Sequence, residues 1–200
     1  MKLSNQNLVS KSSNQYNMLQ LNFEPFPNLE TERLLLRRVI ATDTKEILEL
    51  RSNAETMKYI PRPLLKTEED ALEHIANIDD KIETQEGINW AITLKDSPKL
   101  IGVIGHYRIR PEHFRAEVGY MLLPQFHGKG IIPEAIKAVL KYGFEKMGLH
   151  SIEAVIDPAN LASEKVLQKS GFTKEAHLIE NEYFEGRFLD TVIYSLLNKP

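Results

Sequence analysis

Residues 119–148 read GYMLLPQFHGKGIIPEAIKAVLKYGFEKMG, and a polar hexapeptide in their middle, Gln125 to Gly130, separates two apolar segments. Behind the hexapeptide, apolar residues recur at positions i, i+3, i+4 and i+7, the spacing of one helix face. Pro133 occupies the first turn of this helix, where its missing N–H costs little, and Gly148 follows the last turn. The stretch therefore predicts a strand, a glycine loop and a helix over residues 131–147.

The hexapeptide has the composition of an anion-binding loop. A helix start carries about four N–H groups without intrahelical partners and a partial positive charge, so an anion binds there favourably. Gly128 and Gly130 have no Cβ that would block a phosphate, and Gln125, His127 and Lys129 add polar groups. The alternative is structural, because the same glycines also suit a tight link between a strand and a helix.

Two better-known phosphate loops are excluded. A P-loop requires Lys-Ser or Lys-Thr after its last glycine, whereas Ile131 and Ile132 follow Gly130 here. The dinucleotide fingerprint requires three glycines in the order G-x-G-x-x-G, which the hexapeptide lacks. The pattern that remains, Gln/Arg-x-x-Gly-x-Gly/Ala, is weak by itself.

The other periodic segments predict a mixed α/β domain without internal repeats. The predicted strands are 33–39, 88–94, 100–109, 115–122, 152–156, 172–182 and 188–197, and the predicted helices are 43–51, 67–82, 131–147 and 160–170. A turn is predicted at 96–99. Asp43 and Thr67 are the expected N-caps of the first two helices. The second helix is expected to bury one apolar stripe, formed by Leu72, Ile75, Ile78 and Ile82.

Composition excludes several classes of protein. The chain has 200 residues, a net charge of -3 and no cysteine, so disulfides, thiolate metal sites and a cysteine nucleophile are ruled out. With this charge, no global field favours nucleic acid or an anionic membrane. No apolar run approaches the ~20 residues of a membrane span, and the six histidines show no metal-ligand spacing. We expect a cytoplasmic protein without a metal.

The first 28 residues differ from the rest. Thirteen of them are Asn, Gln or Ser, without helical or alternating periodicity. We interpret residues 1–28 as a polar N-terminal extension that need not be ordered, and residues 29–200 as the folded domain. Phe23 and Phe26, with Leu19 and Leu21, supply apolar groups by which the end of the extension can pack.

From residue 29 to residue 197 the sequence resembles the GNAT superfamily of acyl-CoA-dependent N-acyltransferases. It looks most like the Rim-type branch, which acetylates the N-terminal residue of ribosomal proteins. The resemblance rests on Leu29-Glu30-Thr31-Glu32-Arg33-Leu34, Glu117-Val118-Gly119-Tyr120, the hexapeptide, Pro133-Glu134-Ala135, Asn160-x-x-Ser163, Gly171-Phe172 and Gly186-Arg187-Phe188-x-Asp190.

The resemblance implies a GNAT-like single domain with acetyl-CoA as cosubstrate. Its central twisted sheet would be mostly antiparallel, with about six or seven strands and about four flanking helices, and splayed at the cofactor site. The positions that match the family's cofactor-binding residues are Met121, Leu122, Gln125, His127, Gly128, Lys129, Gly130, Ile131, Asn160 and Ser163. His127 is expected to bind phosphate through its N–H, with its side chain in solvent. The alternative role for Asn160 is purely structural, as the N-cap of the following helix.

The resemblance also implies candidate catalytic residues. Many GNAT enzymes have a tyrosine as general acid where this sequence has Leu167, so Ser163 becomes the candidate for polarising the sulfur or holding a water. Glu182 matches an acidic position that relatives are thought to use with that serine, and Glu117 is a second candidate base. The alternatives are a helix-start hydroxyl for Ser163, a solvated carboxylate for Glu182, and an ion pair of Glu117 with Arg115.

The predicted activity is acetyl-CoA-dependent acetylation of an amine, most plausibly the N-terminal α-amine of a ribosomal or other protein. Two alternatives stay open, namely a small-molecule amine as acceptor, and a CoA-binding regulatory module without turnover. Homodimers are common among relatives. The segment around Arg62 is expected to edge the acceptor groove, and Trp90, Tyr107 and Tyr120 to be core residues or groove walls.

Overall fold

The computed structural model of the chain describes residues 18–199, which contain eight strands and five α-helices. The strands are β1 Leu29–Glu30, β2 Leu34–Arg38, β3 Ile88–Leu94, β4 Ser97–Arg110, β5 Arg115–Leu122, β6 Ser151–Ile156, β7 Thr173–Phe184 and β8 Arg187–Leu197. The helices are α1 Thr44–Ser52, α2 Ala54–Met57, α3 Glu68–Glu83, α4 Ile131–Glu145 and α5 Leu161–Lys169. Within residues 18–199, no helix combines the length and the apolar character that a membrane crossing requires.

The predicted mixed α/β class is confirmed, with one strand and one helix more than expected. The additions are β1, which has two residues, and α2, which has four. Both are too short for a periodic pattern to reveal them. The β3–β4 turn is also tighter than predicted, because Leu94 already faces Ser97 across it.

The eight strands form a single sheet in the order β1-β2-β3-β4-β5-β6-β8-β7. All neighbouring pairs are antiparallel except β5 and β6, which run parallel. Side chains alternate between the two faces of a strand. On β4, His106 bonds to the Val139 carbonyl of α4, whereas Tyr107 lies near Arg51 of α1. Helices α1 and α4 therefore cover opposite faces of the sheet.

The helix α3 begins as predicted, and its buried face differs from the predicted one at a single position. The Thr67 hydroxyl accepts from the Asp70 N–H at 3.1 Å, and the Asp70 carboxylate accepts from the Thr67 N–H at 3.0 Å. Ala71 is fully buried, whereas Leu72 is 46% exposed. The stripe of Ala71, Ile75, Ile78 and Ile82 fits the helical period better than one containing Leu72, so the expected burial of Leu72 is wrong.

Asp43 does not cap α1 with its side chain, contrary to the sequence prediction. Its carboxylate accepts two hydrogen bonds from the Arg37 guanidinium, each of 2.7 Å, and one from the Ile40 N–H. The residue is buried, and a buried carboxylate is better compensated by a bidentate guanidinium than by neutral N–H groups alone. The ion pair thus takes the place of the predicted cap.

The described end of the N-terminal extension packs against the domain. Phe23 is buried, the Phe26 ring lies 6.1 Å from the Trp90 ring, and the Trp90 Nε1–H donates to the Pro27 carbonyl at 2.7 Å. Trp90 itself is fully buried in the core. Residues 1–17 lie outside the described residues, and the boundary at residue 28 stays a prediction.

A buried histidine makes the fold sensitive to acid. His106 Nε2 lies 3.0 Å from the Val139 carbonyl oxygen, so Nε2 carries the proton of a neutral ring. Its other ring nitrogen has no partner among residues 18–199, and burial lowers the pKa of His106 from 6.5 to about 4. Between pH 6.5 and about 4, His106 is therefore protonated in the unfolded chain and neutral in the folded chain.

We expect the free energy of unfolding to fall as the pH drops from 6.5 to about 4, with His106 contributing on the order of 3 kcal/mol. Denaturant unfolding at several pH values measures this slope, and His106→Gln is expected to flatten it. An unchanged slope in that variant would mean that other groups, such as His74, carry the acid sensitivity.

Candidate active site

The sheet opens between β5 and β6. The two strands pair at Arg115 with Ser151, Ala116 with Ile152, and Glu117 with Glu153, and the pairing stops there. Strand β5 continues to Leu122 along β4, while β6 continues along β8. The result is a wedge with Glu117 at its apex and an unpaired β5 edge from residue 118 to 122. Backbone groups on such an edge are available to an extended ligand.

The glycine loop lies between the end of this edge and the start of α4. Pro124–Phe126 forms a short 3-10 turn, and Gly128 and Gly130 adopt φ values of 72° and 74°. These left-handed conformations favour glycine, so the two glycines are needed for backbone geometry as well as for space. No group in residues 18–199 accepts a hydrogen bond from the five successive N–H groups of 128–132. The arrangement is that of an anion cradle.

A polar clamp fixes the loop from the other end of the sequence. Glu134, in the first turn of α4, accepts from the Thr31 hydroxyl at 2.5 Å, the Arg33 N–H at 2.8 Å and Arg33 Nε at 2.7 Å. Arg33 Nη1 then donates to the Lys129 carbonyl at 3.0 Å. The clamp connects two of the quoted motifs and supplies the Lys129 carbonyl with a hydrogen-bond donor.

The polar side chains of the loop have different roles from those expected. The His127 N–H donates to the Pro124 carbonyl at 3.0 Å, so it is already used within the loop. The side chain is exposed, as expected, but its ring Nε2 also lies 2.9 Å from the Leu122 carbonyl oxygen. Both bonds join the loop to the end of β5, and the expectation of a free His127 N–H is wrong for this conformation. Lys129 Nζ lies over the Phe126 ring, and Gln125 reaches Glu49.

Asn160 caps α5. Its Oδ1 accepts from the Ser163 N–H at 3.1 Å, so the structural alternative given for this residue, a helix cap, is present. The cap leaves the Asn160 amide NH2 free of any partner in the described chain. The Ser163 side chain lies beside the Tyr120 hydroxyl, on the α4 side of β5. Asn160 can therefore cap α5 through its Oδ1 and still donate to a cofactor through its amide NH2.

We expect Asn160→Asp to separate these two roles. Aspartate caps a helix as well as asparagine does, so the unfolding temperature should stay within a few degrees. A contact with acetyl-CoA would be lost together with the amide donor, and a negative charge would be added. Calorimetry should then show acetyl-CoA affinity about tenfold lower. Equal affinity would reduce Asn160 to a cap.

Glu117 is ion-paired, but not with the expected partner. Arg108 Nη1 donates to its carboxylate at 2.6 Å, whereas Arg115 bonds to Glu153 at 2.8 Å. The predicted alternative of a Glu117–Arg115 pair is wrong, because the Arg115 side chain extends to Glu153, two residues beyond its pairing partner Ser151 on β6. Glu182 approaches Glu117 closely enough to act on its charge.

Burial raises the pKa of Glu117, and the nearby carboxylates of Glu153 and Glu182 raise it further, while Arg108 opposes the shift. A carboxylate with a raised pKa is a better proton acceptor at neutral pH than an ordinary one. Glu182 thus lies within electrostatic range of Glu117. No hydrogen bond in residues 18–199 joins Ser163 to either carboxylate.

Two site residues escaped the sequence prediction. Tyr120 has a buried hydroxyl without a hydrogen-bond partner of normal geometry in the described chain, and burial raises its pKa to about 12. Arg51 extends from α1 to Met121 of β5, on the opposite side of the sheet from Tyr120. The sequence predicts Tyr120 only as a core residue or groove wall, and Arg51 only as the last residue of a helix. Neither orientation is encoded in a local pattern.

Within residues 18–199, no three His, Asp or Glu side chains form a group that could hold a metal ion. Leu167, the position of the missing tyrosine, is fully buried. The chemistry of the described groups is that of proton acceptors, N–H donors and hydroxyls around the wedge.

The comparisons with known proteins agree with this geometry. A family model described as an acetyltransferase (GNAT) domain matches residues 33–173. The N-acetyltransferase YoaA of Bacillus subtilis (strain 168) is 37% identical over 88% of this chain and 98% of its own length.

Two solved structures share the fold at 25% identity. The ribosomal-protein-S5-alanine acetyltransferase of Vibrio fischeri has a TM-score of 0.76 and covers 87% of this chain and 100% of its own. The spermidine N-acetyltransferase of Vibrio cholerae, solved with CoA and spermine, has a TM-score of 0.74 and covers 84% of this chain and 96% of its own. With the family model spanning most of the chain, this protein belongs to the GNAT family and is an N-acetyltransferase.

Proposed function

We propose that this N-acetyltransferase transfers the acetyl group of acetyl-CoA directly to the N-terminal α-amine of a protein, such as a ribosomal protein. The observation that carries the proposal is the row of free N–H groups at 128–132 beside the unpaired β5 edge. A diphosphate suits the row, and an extended amide-containing arm suits the edge. The acceptor is supported by the similarity to the Vibrio fischeri enzyme that is described as acting on ribosomal protein S5.

The proposed cofactor site uses the predicted residues with one change in role. The residues are Met121, Leu122, Gln125, His127, Gly128, Lys129, Gly130, Ile131, Asn160 and Ser163. His127 would act by bracing the loop through the Leu122 carbonyl rather than through its N–H. We assign residues 29–200 to the acetyltransferase domain, with residues 18–28 packed against it.

Bound acetyl-CoA supplies the acetyl thioester that the amine attacks and the thiol that leaves. Glu117, at the apex, accepts the proton that the amine gives up; burial raises the pKa of Glu117, and the charge of Glu182 adds to that shift. An α-amine with a pKa near ~8 needs only a modest base for this step. The Leu122 N–H is the proposed donor to the carbonyl oxygen. Ser163 and Tyr120 offer the hydroxyls nearest the sulfur end.

A small polyamine is the second candidate acceptor, because the chain shares its fold with the spermidine N-acetyltransferase solved with spermine. The third candidate is a CoA-binding module without turnover, which the same cradle would also permit.

Calorimetry with acetyl-CoA, followed by a thiol-release assay on an acceptor panel, distinguishes the three candidate functions. The panel contains peptides with free N-termini, the same peptides with blocked N-termini and a lysine side chain, and spermidine. We expect tight acetyl-CoA binding and release only with free N-termini. Release only with spermidine would make the acceptor a polyamine, and binding without release would make the protein a regulatory module. If acetyl-CoA does not bind, the proposed function is wrong.

A further inference from the structure

A half-buried arginine without a carboxylate partner lies beside the wedge. Arg51 is at the end of α1, and its Nη1 lies 3.7 Å from Met121 Sδ on the unpaired part of β5. Its Nε is inaccessible to solvent and has no hydrogen-bond partner in residues 18–199. No described Asp or Glu oxygen lies within 4.0 Å of this guanidinium. Because uncompensated buried charge is costly, such a residue indicates a missing anion.

The surroundings of Arg51 do not neutralise it. Burial lowers the pKa of Arg51, and Arg62 is near enough to lower it further, as two positive charges do. His74 is also close, and burial together with Arg51 lowers its pKa to about 4. The Tyr107 hydroxyl accepts from Asn89 at 2.9 Å and stays protonated, because burial raises its pKa. The region therefore presents positive charge that no described group offsets.

This positive region is adjacent to the proposed base. Tyr107 of β4 faces Glu117 of β5 across the ladder, so both side chains project from the same face of the sheet. Arg51 lies close enough to the Tyr107 hydroxyl for its charge to act on the Tyr107 pKa. Tyr107 thus lies within electrostatic range of both a carboxylate that suits an amine and a guanidinium that suits an anion.

We propose that the acceptor carries a carboxylate close to the reacting amine, and that Arg51 binds this carboxylate while the amine lies at Glu117. The proposal rests on the proposed transferase function and narrows its acceptor. An acidic side chain at the start of a protein supplies such a carboxylate, and so does the α-carboxylate of a free amino acid. Spermidine has no anionic group, so the same feature disfavours it. Arg62, which is exposed, is a secondary contact.

Matched acceptor pairs test the charge requirement. Calorimetry on the CoA-loaded protein compares the peptide amides Asp-Ala-Ala and Asn-Ala-Ala, and compares alanine with alaninamide. We expect the carboxylate-bearing member of one pair to bind about 30-fold more tightly, the range of a charge-assisted hydrogen bond. The first pair identifies a side-chain carboxylate, and the second identifies an α-carboxylate. Affinities within about threefold in both pairs, or no measurable binding, would overturn the proposal.

Variants assign the effect to Arg51. Arg51→Gln should remove the discrimination within the preferred pair, Arg51→Lys should retain part of it, and Arg62→Gln should have a smaller effect. Lys141→Gln is the control, because it removes a positive charge from the exposed face of α4. This variant should leave the discrimination within the preferred pair unchanged. Discrimination that survives in Arg51→Gln would contradict the assignment.

Thermal unfolding distinguishes binding from a structural role. Removal of an uncompensated buried charge should leave the unfolding temperature of Arg51→Gln unchanged or higher. A lower unfolding temperature, with equal loss of affinity for both members of a pair, would make Arg51 structural. The proposed function fails differently, because peptides would then bind without releasing thiol from acetyl-CoA.

Discussion

Gly128→Glu is expected to weaken acetyl-CoA binding by at least about 100-fold, because the new carboxylate occupies the place of the diphosphate. The five free N–H groups at 128–132 would bind the new carboxylate. The negative charge of that carboxylate would also repel the phosphates of acetyl-CoA. A Cβ at this position meets no atom within 4 Å, so the domain should still fold. Calorimetry measures the affinity, and circular dichroism checks the fold.

A matched control exists at the β7–β8 turn. Gly186 has a φ of 82°, similar to the 72° of Gly128, and its Cβ would also meet open space. Gly186→Glu therefore adds the same charge and a similar backbone strain, on the order of 1 kcal/mol, away from the cradle. It should bind acetyl-CoA with nearly wild-type affinity. Equal affinity losses in the two variants would remove the loop from the cofactor site.

Glu117→Gln should lower kcat/KM for acetyl transfer by about 100-fold, because a positioned general base contributes at least that much. Acetyl-CoA affinity should remain, since Glu117 lies at the apex and not in the cradle. Glu182→Gln should have a smaller effect, because that carboxylate acts through the pKa of Glu117. A larger loss in Glu182→Gln than in Glu117→Gln would reverse the two roles.

The pH dependence gives this assignment a second measurement. The base works deprotonated, so kcat/KM should fall as the pH drops through the raised pKa of Glu117. Arg108 lowers that pKa, hence Arg108→Gln should move the acid limb of the profile to higher pH. An acid limb that does not move would mean that it reports the acceptor amine alone.

Local patterns predicted most of the fold. The strand, loop and long helix of residues 119–148 are present as expected, because alternation, helical spacing and glycine punctuation are read from neighbouring residues. The predictions fail where tertiary packing, rather than local periodicity, chooses between nearby alternatives. Asp43 turns away from its helix to Arg37, and Leu72 loses its buried place to Ala71.

The sequence by itself determined the α/β class, the glycine loop and the motif that relates the chain to its family, because these depend on short-range periodicity and backbone conformation. Only the tertiary structure decided that Thr31 and Arg33 clamp Glu134, and that Glu117 pairs with Arg108 rather than Arg115. It alone placed Arg51 beside the wedge without a carboxylate. Charge partners and burial depend on strand register and helix docking, which join residues far apart in the chain.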